Sequence, residues 1–446
     1  MNKQIRNTVL LLLCMIVIAA VLAGCESNDN KSNTSTTVTA APTESATQTP
    51  TQAPTETPTP TEEPTPTPDD WYAKMVSESL MDDGCNARLK KVIDKARSGE
   101  DVYIATIGGS ITEGAGTSVY ENCYAALFAS TFASTFGKDG GANVHFINAG
   151  LSGTPSTLGV IRYQRDVITK NDGHLPDLLV IEFAVNDADD PTNGATYEGL
   201  VRRALQAENE PAVILLFSVF KSRWNLQDRL KPIGTYYSLP MVSIKDAVVP
   251  RLGKKFSDQL YFADEYHPTG FGHKIMSACL MYLCETVDAQ EAEQDVPFAT
   301  QPLLGSEFDN VLMVEADTPG VTIDAGGFSA RDTAVFSTKF ESVTCFPDNW
   351  KHVAGASDEP LTITANCRSI LVAYKKSSSA NFGTAEIVVD GKVVKTVNGN
   401  EAGGWNNPYT LVVLREAEVG EHTLQVRMAE GSEDKEFTVL AVGLGQ

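Results

Sequence analysis

Between Val102 and Val287, short apolar runs alternate with longer segments in which apolar residues recur at helical spacing. Short runs rich in β-branched residues are typical of buried strands, and the periodic segments between them are typical of amphipathic helices. Strands that alternate with helices form parallel sheets covered on both faces. The pattern therefore predicts an α/β three-layer sandwich on a parallel sheet of about five strands. The predicted strands are 102–107, 144–148, 178–183, 212–219 and 240–244.

The pattern changes after residue 296. Beyond an acidic stretch at 285–295, turn residues separate short strand-like runs, and no helical period recurs. The runs are 311–315, 321–324, 361–365, 370–374, 385–389, 393–397, 411–414, 422–428 and 437–443. Asp390-Gly391 lies between two such runs, and Asp-Gly is a favoured two-residue hairpin turn. The sequence thus predicts a jelly-roll-like β-sandwich over 297–446, after an α/β domain over 71–296.

The first 25 residues have the pattern of an export signal. A basic start is followed by an apolar run from Val9 to Leu22 and by small residues. The end of this segment, Leu22-Ala23-Gly24-Cys25, resembles a bacterial lipoprotein signal, in which the cysteine is lipidated. We therefore expect Cys25 to anchor an exported protein to the membrane, with an uncleaved membrane anchor as the alternative.

Residues 26–70 are rich in Thr, Pro and Ser and contain almost no apolar side chains. Such a segment buries too little surface to offset its ordering entropy, and its prolines keep it extended. We interpret it as a disordered linker that could hold the folded domains up to roughly 130 Å from the membrane, at about 3 Å per residue. The predicted location is therefore the outer side of the cell membrane or the cell wall.

The charge and the cysteine content argue against two classes of function, nucleic-acid binding and zinc or redox chemistry. The formal net charge is −22, and no basic patch that could neutralise phosphates is visible, which argues against a nucleic-acid partner. The eight cysteines include no C-x-x-C pair, so a zinc or redox motif is not expected. Because export permits disulfides, Cys345 and Cys367 form a plausible pair in the last domain.

Ser110 follows the first predicted strand directly after Gly108 and Gly109. Other polar groups follow later strands, at 148–154, at Asn186 and at 264–267. Because the carboxyl ends of parallel strands lie at one edge of a sheet, we expect these groups to converge. The alternative for Ser110 alone is a helix cap.

The residue types at this edge fit nucleophilic catalysis. A serine hydroxyl needs an imidazole to take its proton and a carboxylate to orient that imidazole, and His267 and Asp264 lie three positions apart. A tetrahedral oxyanion needs hydrogen-bond donors, which the backbone N–H groups of Ser110 and Gly153 and the side chain of Asn186 could supply.

These blocks resemble the SGNH (GDSL-type) hydrolase family. Gly108 to Thr112 is similar to the family's serine block, Asn148 to Thr154 to the glycine block, Val185 to Asp187 to the asparagine block, and Asp264 to His267 to the D-x-x-H block. One departure is Gly109, where the family usually has an aspartate that is not the triad acid. The resemblance covers about residues 100–287 and implies a serine esterase that needs no metal or organic cofactor.

Several other polar and aromatic residues have less specific roles in the sequence pattern. Trp224 and Arg223 follow the fourth predicted strand and could line the substrate cleft, or form a solvated loop with a packing tryptophan. His273 falls inside the closing helix, where a packing role is expected. Asp187 is expected to anchor the Asn186 loop. Four aromatic side chains of the last domain could stack on sugars or fill its core: Trp350, Tyr374, Trp405 and Tyr409.

The sequence as a whole favours a secreted, membrane-tethered serine esterase that removes acyl groups, above all acetyl, from polysaccharide. The export signal, the linker and the added β-domain together resemble carbohydrate esterases that pair an SGNH domain with a jelly-roll module. Two alternatives stay open: a lipase or thioesterase acting on longer acyl chains, and a catalytically inert glycan-binding surface protein.

Overall fold

The computed structural model describes residues 68–315 and 317–446, all within one compact unit that spans Thr65 to Gln446. The predicted signal segment, Cys25 and most of the predicted linker lie outside the described residues. No helix in the described part of the chain is long and apolar enough to cross a membrane.

The first folded region is built on a six-stranded sheet in the order β1-β6-β5-β4-β2-β3. The strands are β1 (Leu80–Asp82), β2 (Val102–Gly108), β3 (Val144–Gly150), β4 (Leu178–Glu182), β5 (Ala212–Phe217) and β6 (Met241–Ser243). Strands β2 to β6 are parallel, whereas β1 pairs antiparallel with β6 at the edge. The five predicted parallel strands are confirmed, and the short antiparallel strand β1 adds a sixth.

Helices cover both faces of this sheet. They are α1 (Pro68–Ser77), α2 (Ala87–Ser98), α3 (Ser110–Glu113), α4 (Tyr124–Phe136), α5 (Ser156–Tyr163), α6 (Ala195–Leu205), α7 (Gln227–Tyr236), α8 (Ile244–Val248), α9 (Asp258–Tyr261) and α10 (Gly270–Ala289). Strand residues alternate between two core clusters: Leu178 and Val180 pack with α2, α4 and α10, while Leu179 and Ile181 pack with α5 and α6. Because both faces are covered, the strands are continuously apolar, as in other parallel sheets.

The second folded region is antiparallel. Its strands are β7 (Val311–Met313), β8 (Val321–Asp324), β9 (Trp350–His352), β10 (Leu361–Ser377), β11 (Thr384–Val389), β12 (Lys392–Asn398), β13 (Trp405–Met428) and β14 (Phe437–Gly445). Hydrogen bonds join these strands into a single eight-stranded sheet around its own core cluster. The predicted fold class is therefore confirmed as an α/β domain followed by an antiparallel β-domain.

Several short predicted runs of the β-domain are parts of longer strands. The runs at 361–365 and 370–374 belong to β10, which has register shifts between Cys367 and Ser369 and between Ile370 and Leu371. A bulge adds one residue and moves the inward face from odd to even positions, so Ile363 and Ile370 point into the same core. Strand β9 was not predicted, because its sequence, Trp-Lys-His, has no apolar alternation.

The plausible disulfide between Cys345 and Cys367 is not formed, because both cysteines are free thiols. They are buried in two different clusters. Cys345 packs at the contact between the two folded regions, whereas Cys367 lies inside the β-domain. The contact between the regions is itself apolar and contains Phe308, Phe336 and Leu440. It is reinforced by a buried ion pair in which the Arg202 guanidinium donates to Asp309 at 2.9 Å.

Candidate active site

Ser110 lies at a sharp turn between β2 and α3. It is the first residue of α3, with Gly109 at the N-cap position. A Cβ atom on Gly109 would come within 2.5 Å of the Asn186 amide nitrogen. The absence of a side chain at residue 109 therefore lets Asn186 approach the turn.

The structure brings Ser110, His267 and Asp264 together. His267 Nε2 lies 2.9 Å from Ser110 Oγ, and His267 Nδ1 lies 2.8 Å from Asp264 Oδ2. The serine hydroxyl is thus bonded to an imidazole rather than to the first turn of α3. The loop between α9 and α10, which carries the Asp-His pair, is long enough to reach the sheet edge at which β2 ends.

The Asp264 carboxylate is oriented by its own loop. Its Oδ1 accepts hydrogen bonds from the backbone N–H groups of Tyr266 at 2.7 Å and of His267 at 2.8 Å. Partial burial raises the pKa of Asp264, but the hydrogen bonds from the His267 ring and from these N–H groups outweigh it and hold the pKa below its ordinary value. Asp264 is therefore ionised at neutral pH and able to fix the His267 tautomer.

Asn186 and Gly153 lie in loops that follow β4 and β3. The Asn186 side chain contacts Gly109, and its Oδ1 is buried without a partner in the described residues. Gly153 has a positive φ of 69°, which favours glycine. We call residues 151–155 the β3 loop. Its Ser152 N–H donates to Glu113 of α3 at 2.9 Å, so this loop is bonded to the helix that begins at Ser110.

Two fully buried carboxyl groups lie behind this edge. Glu182 accepts hydrogen bonds from the hydroxyls of Thr112, at 3.0 Å, and of Ser218. Asp187 accepts from the Ser156 N–H at 2.7 Å. Burial raises the pKa of each group to about 7. Asp187 thus ties the Asn186 loop to the start of α5, as expected. No sequence pattern pointed to Glu182, which lies at the end of an otherwise apolar strand.

His273 is buried and contacts neither Ser110 nor Asp264. Its Nδ1 accepts a hydrogen bond from the Tyr124 N–H at 3.1 Å, and its Nε2 donates to the Ala115 carbonyl at 3.0 Å. Burial lowers the pKa of His273 to about 4, so the ring is neutral at physiological pH. These contacts agree with the expected packing role.

Aromatic side chains flank the site on two sides. Trp224 and Tyr266 are exposed and both contact the Phe220 ring, with centroid distances of 5.8 and 5.1 Å. On the other side, Trp405 of β13 is 51% exposed, and its ring would lie 3.0 Å from a Cβ atom on Gly153. Trp350 and Tyr374, by contrast, are buried in the β-domain core.

Arg223 is bonded within the protein. Its guanidinium donates to both carboxylate oxygens of Asp258, at 2.8 and 2.7 Å, and to the Lys221 carbonyl. The ion pair holds the loop that carries Trp224. Among residues 68–315 and 317–446, no group of three or more His, Cys, Asp or Glu side chains is arranged to hold a metal ion.

Comparison with known proteins identifies the family of the chain. The sequence profile of the GDSL-like Lipase/Acylhydrolase family matches residues 106–275. A crystal structure of a two-domain esterase (CEX) active on acetylated mannans is similar to the chain at 30% identity and a TM-score of 0.72, covering 83% of this chain and 98% of that one. The same esterase co-crystallized with mannopentaose has 30% identity, the same coverage and a TM-score of 0.70. A search of curated protein sequences gave no match.

The fold and the matched relatives define the class of the protein: it is a carboxylic-ester hydrolase. The similarity to the two-domain esterase extends over both folded regions, beyond the residues that the family profile matches. The chain belongs to the GDSL-like lipase/acylhydrolase family, also called SGNH hydrolases.

Proposed function

We propose that the protein is an exported, membrane-tethered serine esterase that removes acetyl groups from a polysaccharide such as acetylated mannan. Ser110 is the nucleophile, His267 the general base and Asp264 the residue that orients the imidazole. The backbone N–H groups of Ser110 and Gly153 and the Asn186 side chain are the oxyanion donors.

One observation carries the catalytic part of the proposal. The hydrogen bonds from Ser110 Oγ to His267 Nε2 and from His267 Nδ1 to Asp264 Oδ2 are 2.9 and 2.8 Å long. A serine hydroxyl is a weak nucleophile at neutral pH unless a base within hydrogen-bond reach takes its proton. With Asp264 ionised, Nδ1 keeps its proton and the lone pair of Nε2 faces the hydroxyl.

The reaction then proceeds in two halves. Ser110 Oγ attacks the ester carbonyl carbon while its proton moves to His267 Nε2, and the negative oxygen of the tetrahedral intermediate is bound by the oxyanion donors. His267 returns the proton to the sugar oxygen, which leaves as an alcohol. Water enters, loses a proton to His267 and attacks the acetyl-Ser110 carbonyl. The proton passes to Ser110 Oγ, and the acid is released.

The surroundings of the site support a carbohydrate substrate. The exposed Tyr266 ring lies beside the His267 ring, and Trp224 shares its contact with Phe220. The exposed Trp405 ring lies against Gly153. Such rings give large apolar faces on which pyranose rings can stack. We propose that Trp224 contacts the sugar while the Arg223 ion pair holds its loop. The activity of the similar two-domain esterase on acetylated mannans favours mannan within this class.

Export and tethering rest on the sequence alone. The apolar run before Cys25 supports a lipoprotein signal, and residues 26–70 support a linker that reaches away from the membrane. Mass spectrometry of the wild-type protein should show a chain that begins at Cys25 and carries lipid on that residue. A chain that still begins at Met1 would support an uncleaved anchor instead.

The proposed activity is tested by measuring acetate release from acetylated glucomannan, acetylated xylan and acetylated chitooligosaccharide, with wild type and Ser110→Ala. We expect release from glucomannan to be fastest and to be lost in the variant. A fluorophosphonate probe should label wild type and not Ser110→Ala. Faster hydrolysis of long-chain than of two-carbon p-nitrophenyl esters would favour a lipase or thioesterase. Absence of both labelling and acetate release would favour the inert binding protein.

A further inference from the structure

Glu113 is a buried carboxylate for which the proposed mechanism has no role. It lies one turn after Ser110 on α3 and is 6% exposed. Its Oε2 accepts hydrogen bonds from the backbone N–H of Ser152, at 2.9 Å, and from the Ser152 hydroxyl. Its Oε1 accepts from the backbone N–H of Lys339 at 2.7 Å. One side chain thus joins the nucleophile helix, the β3 loop and the β-domain.

Lys339 belongs to the segment 329–349, which we call the interdomain loop. Its ammonium group donates to the Gly114 carbonyl at 2.9 Å and to the Thr117 carbonyl, so it also holds the end of α3. The neighbouring Phe340 ring packs edge-on against Tyr120, with centroids 5.5 Å apart. The β-domain is therefore bonded directly to the turn that follows the proposed nucleophile.

The position of Ser152 sets the orientation of the next peptide unit. The proposed oxyanion donor is the Gly153 N–H, which belongs to the planar peptide that begins at the Ser152 carbonyl. Glu113 fixes both the N–H and the hydroxyl of Ser152, and Trp405 lies against Gly153. An oxyanion donor acts only when it points at the position that the oxyanion will occupy. A shift of Ser152 would therefore turn this donor away.

We propose that Glu113 is a positioning residue for ester hydrolysis. It holds the β3 loop in a fixed position relative to Ser110 and connects this loop to Lys339 of the β-domain. The β-domain would then contribute to the chemical step and not only to substrate binding. This inference rests on the proposed function, since it assigns a role to the loop that carries the Gly153 donor.

The test is Glu113→Gln, which keeps the shape of the side chain but has only one acceptor oxygen. Its NH₂ group must face either the Ser152 or the Lys339 N–H, so one of the two bonds is lost. We expect kcat for p-nitrophenyl acetate to fall by about 10- to 100-fold, somewhat less than the loss of a whole oxyanion donor. KM should stay within about twofold, because the donor acts in the transition state.

A second readout separates positioning from general loosening. An arylboronic acid forms a tetrahedral adduct with the serine, so its Ki should rise by the same factor as kcat/KM falls. The matched control is Glu121→Gln, which removes an exposed carboxylate from the neighbouring turn Tyr120–Asn122. We expect the control to keep the kcat and Ki of wild type.

If Glu113→Gln does not fold, Ser152→Ala provides the same test with a smaller change, because it removes only the hydroxyl bond. We expect it to lower kcat by about 3- to 10-fold, while the melting temperature falls by only about a few degrees. Wild-type kcat and Ki in the folded Glu113→Gln variant, or in Ser152→Ala where Glu113→Gln does not fold, would overturn the inference while leaving the proposed function intact. Failure of the wild type to hydrolyse acetyl esters would instead overturn the proposed function.

Discussion

His267 and His273 lie six positions apart on either side of the start of α10, and the structure gives them opposite environments. His267 is on a partly exposed loop, with Ser110 on one ring nitrogen and Asp264 on the other. His273 is fully buried, with a backbone N–H on one nitrogen and a backbone carbonyl on the other. The first arrangement can accept and return a proton, whereas the second holds one neutral tautomer and links α10 to α4.

The carboxyl groups show the same contrast. The Asp264 side chain is 52% exposed, and its hydrogen-bond donors hold its pKa below the ordinary value. Glu182 and Asp187 are fully buried, and burial raises the pKa of each to about 7. The proposed catalytic groups thus lie at the solvent-exposed edge of the sheet, and the two carboxyl groups with a raised pKa lie behind it. In this protein, the carboxyl groups whose pKa is strongly raised are the ones that hold the surrounding helices and loops in place.

Among these variants, we expect His267→Gln to cause the largest loss of activity. Glutamine can still bond to Ser110 but cannot take its proton, so kcat for p-nitrophenyl acetate should fall by about 10⁴-fold or more. The free energy of unfolding should change by less than about 0.5 kcal/mol, because the side chain is near the surface. The measurements are steady-state kinetics and urea unfolding. Retention of a tenth of the wild-type kcat would contradict the assignment of His267 as the general base.

Asp264→Asn should have the next largest effect. The Asn amide group can donate to Nδ1, which favours the tautomer with its proton on Nε2, facing the serine. That tautomer cannot accept the Ser110 proton, so we expect kcat to fall by about 10³- to 10⁴-fold. KM should change little. The matched control is Asp258→Asn, which weakens the Arg223 ion pair, and a similar loss of kcat in both variants would indicate loop disorder rather than a tautomer effect.

Much of the fold and part of the site could be predicted from the sequence. The apolar strands β2 to β5 are too regular to misread, and Ser110, Asn186 and the Asp264 to His267 block stand out by residue type and spacing. Strand β1 was missed because it has only three residues. Glu113 was missed because its partner Lys339 is 226 positions away, and no local pattern encodes such a bond.

The position of Trp405 could not be predicted either. In the sequence it is one of several aromatic residues in a β-rich region, each of which could be exposed or buried in the core. Its location beside Gly153 depends on how the β-domain packs on α5 and α6, which is decided by apolar surfaces from both regions. Contacts between domains have no periodic signal in the sequence.

His273→Leu tests the buried side of the comparison. It leaves the Tyr124 N–H and the Ala115 carbonyl without partners, so the free energy of unfolding should fall by about 2–3 kcal/mol. The kcat at neutral pH should stay within about threefold of wild type, because this ring does not touch the reacting groups. The two histidine variants should therefore separate activity from stability. A loss of kcat comparable to that of His267→Gln would show that the two histidines act together.

The smallest expected effect is on the pH dependence of the free energy of unfolding. The buried base His273 and the buried acid Glu182 should change this free energy in opposite directions. The folded pKa of His273 is about 4 and the unfolded value about 6.5. As pH falls, His273 becomes protonated in the unfolded chain before it does in the folded chain. It therefore lowers the free energy of unfolding below about pH 6.5. For Glu182 the folded pKa is about 7 and the unfolded value about 4.3, so the folded chain holds this proton longer and stability is lost as pH rises above about 4.3.

The two opposite pH dependences are measured as the difference in unfolding free energy between wild type and a variant. Between about pH 7 and 6, the advantage of wild type over His273→Leu should shrink by up to about 1 kcal/mol as pH falls, while its advantage over Glu182→Gln should grow by a similar amount. Taking differences cancels the titration of Asp187 and of the exposed carboxylates, which all three proteins share. Parallel pH profiles for the two variants would mean that burial does not set the protonation of these groups, and the contrast between the exposed and buried sides of the sheet edge would lose its electrostatic basis.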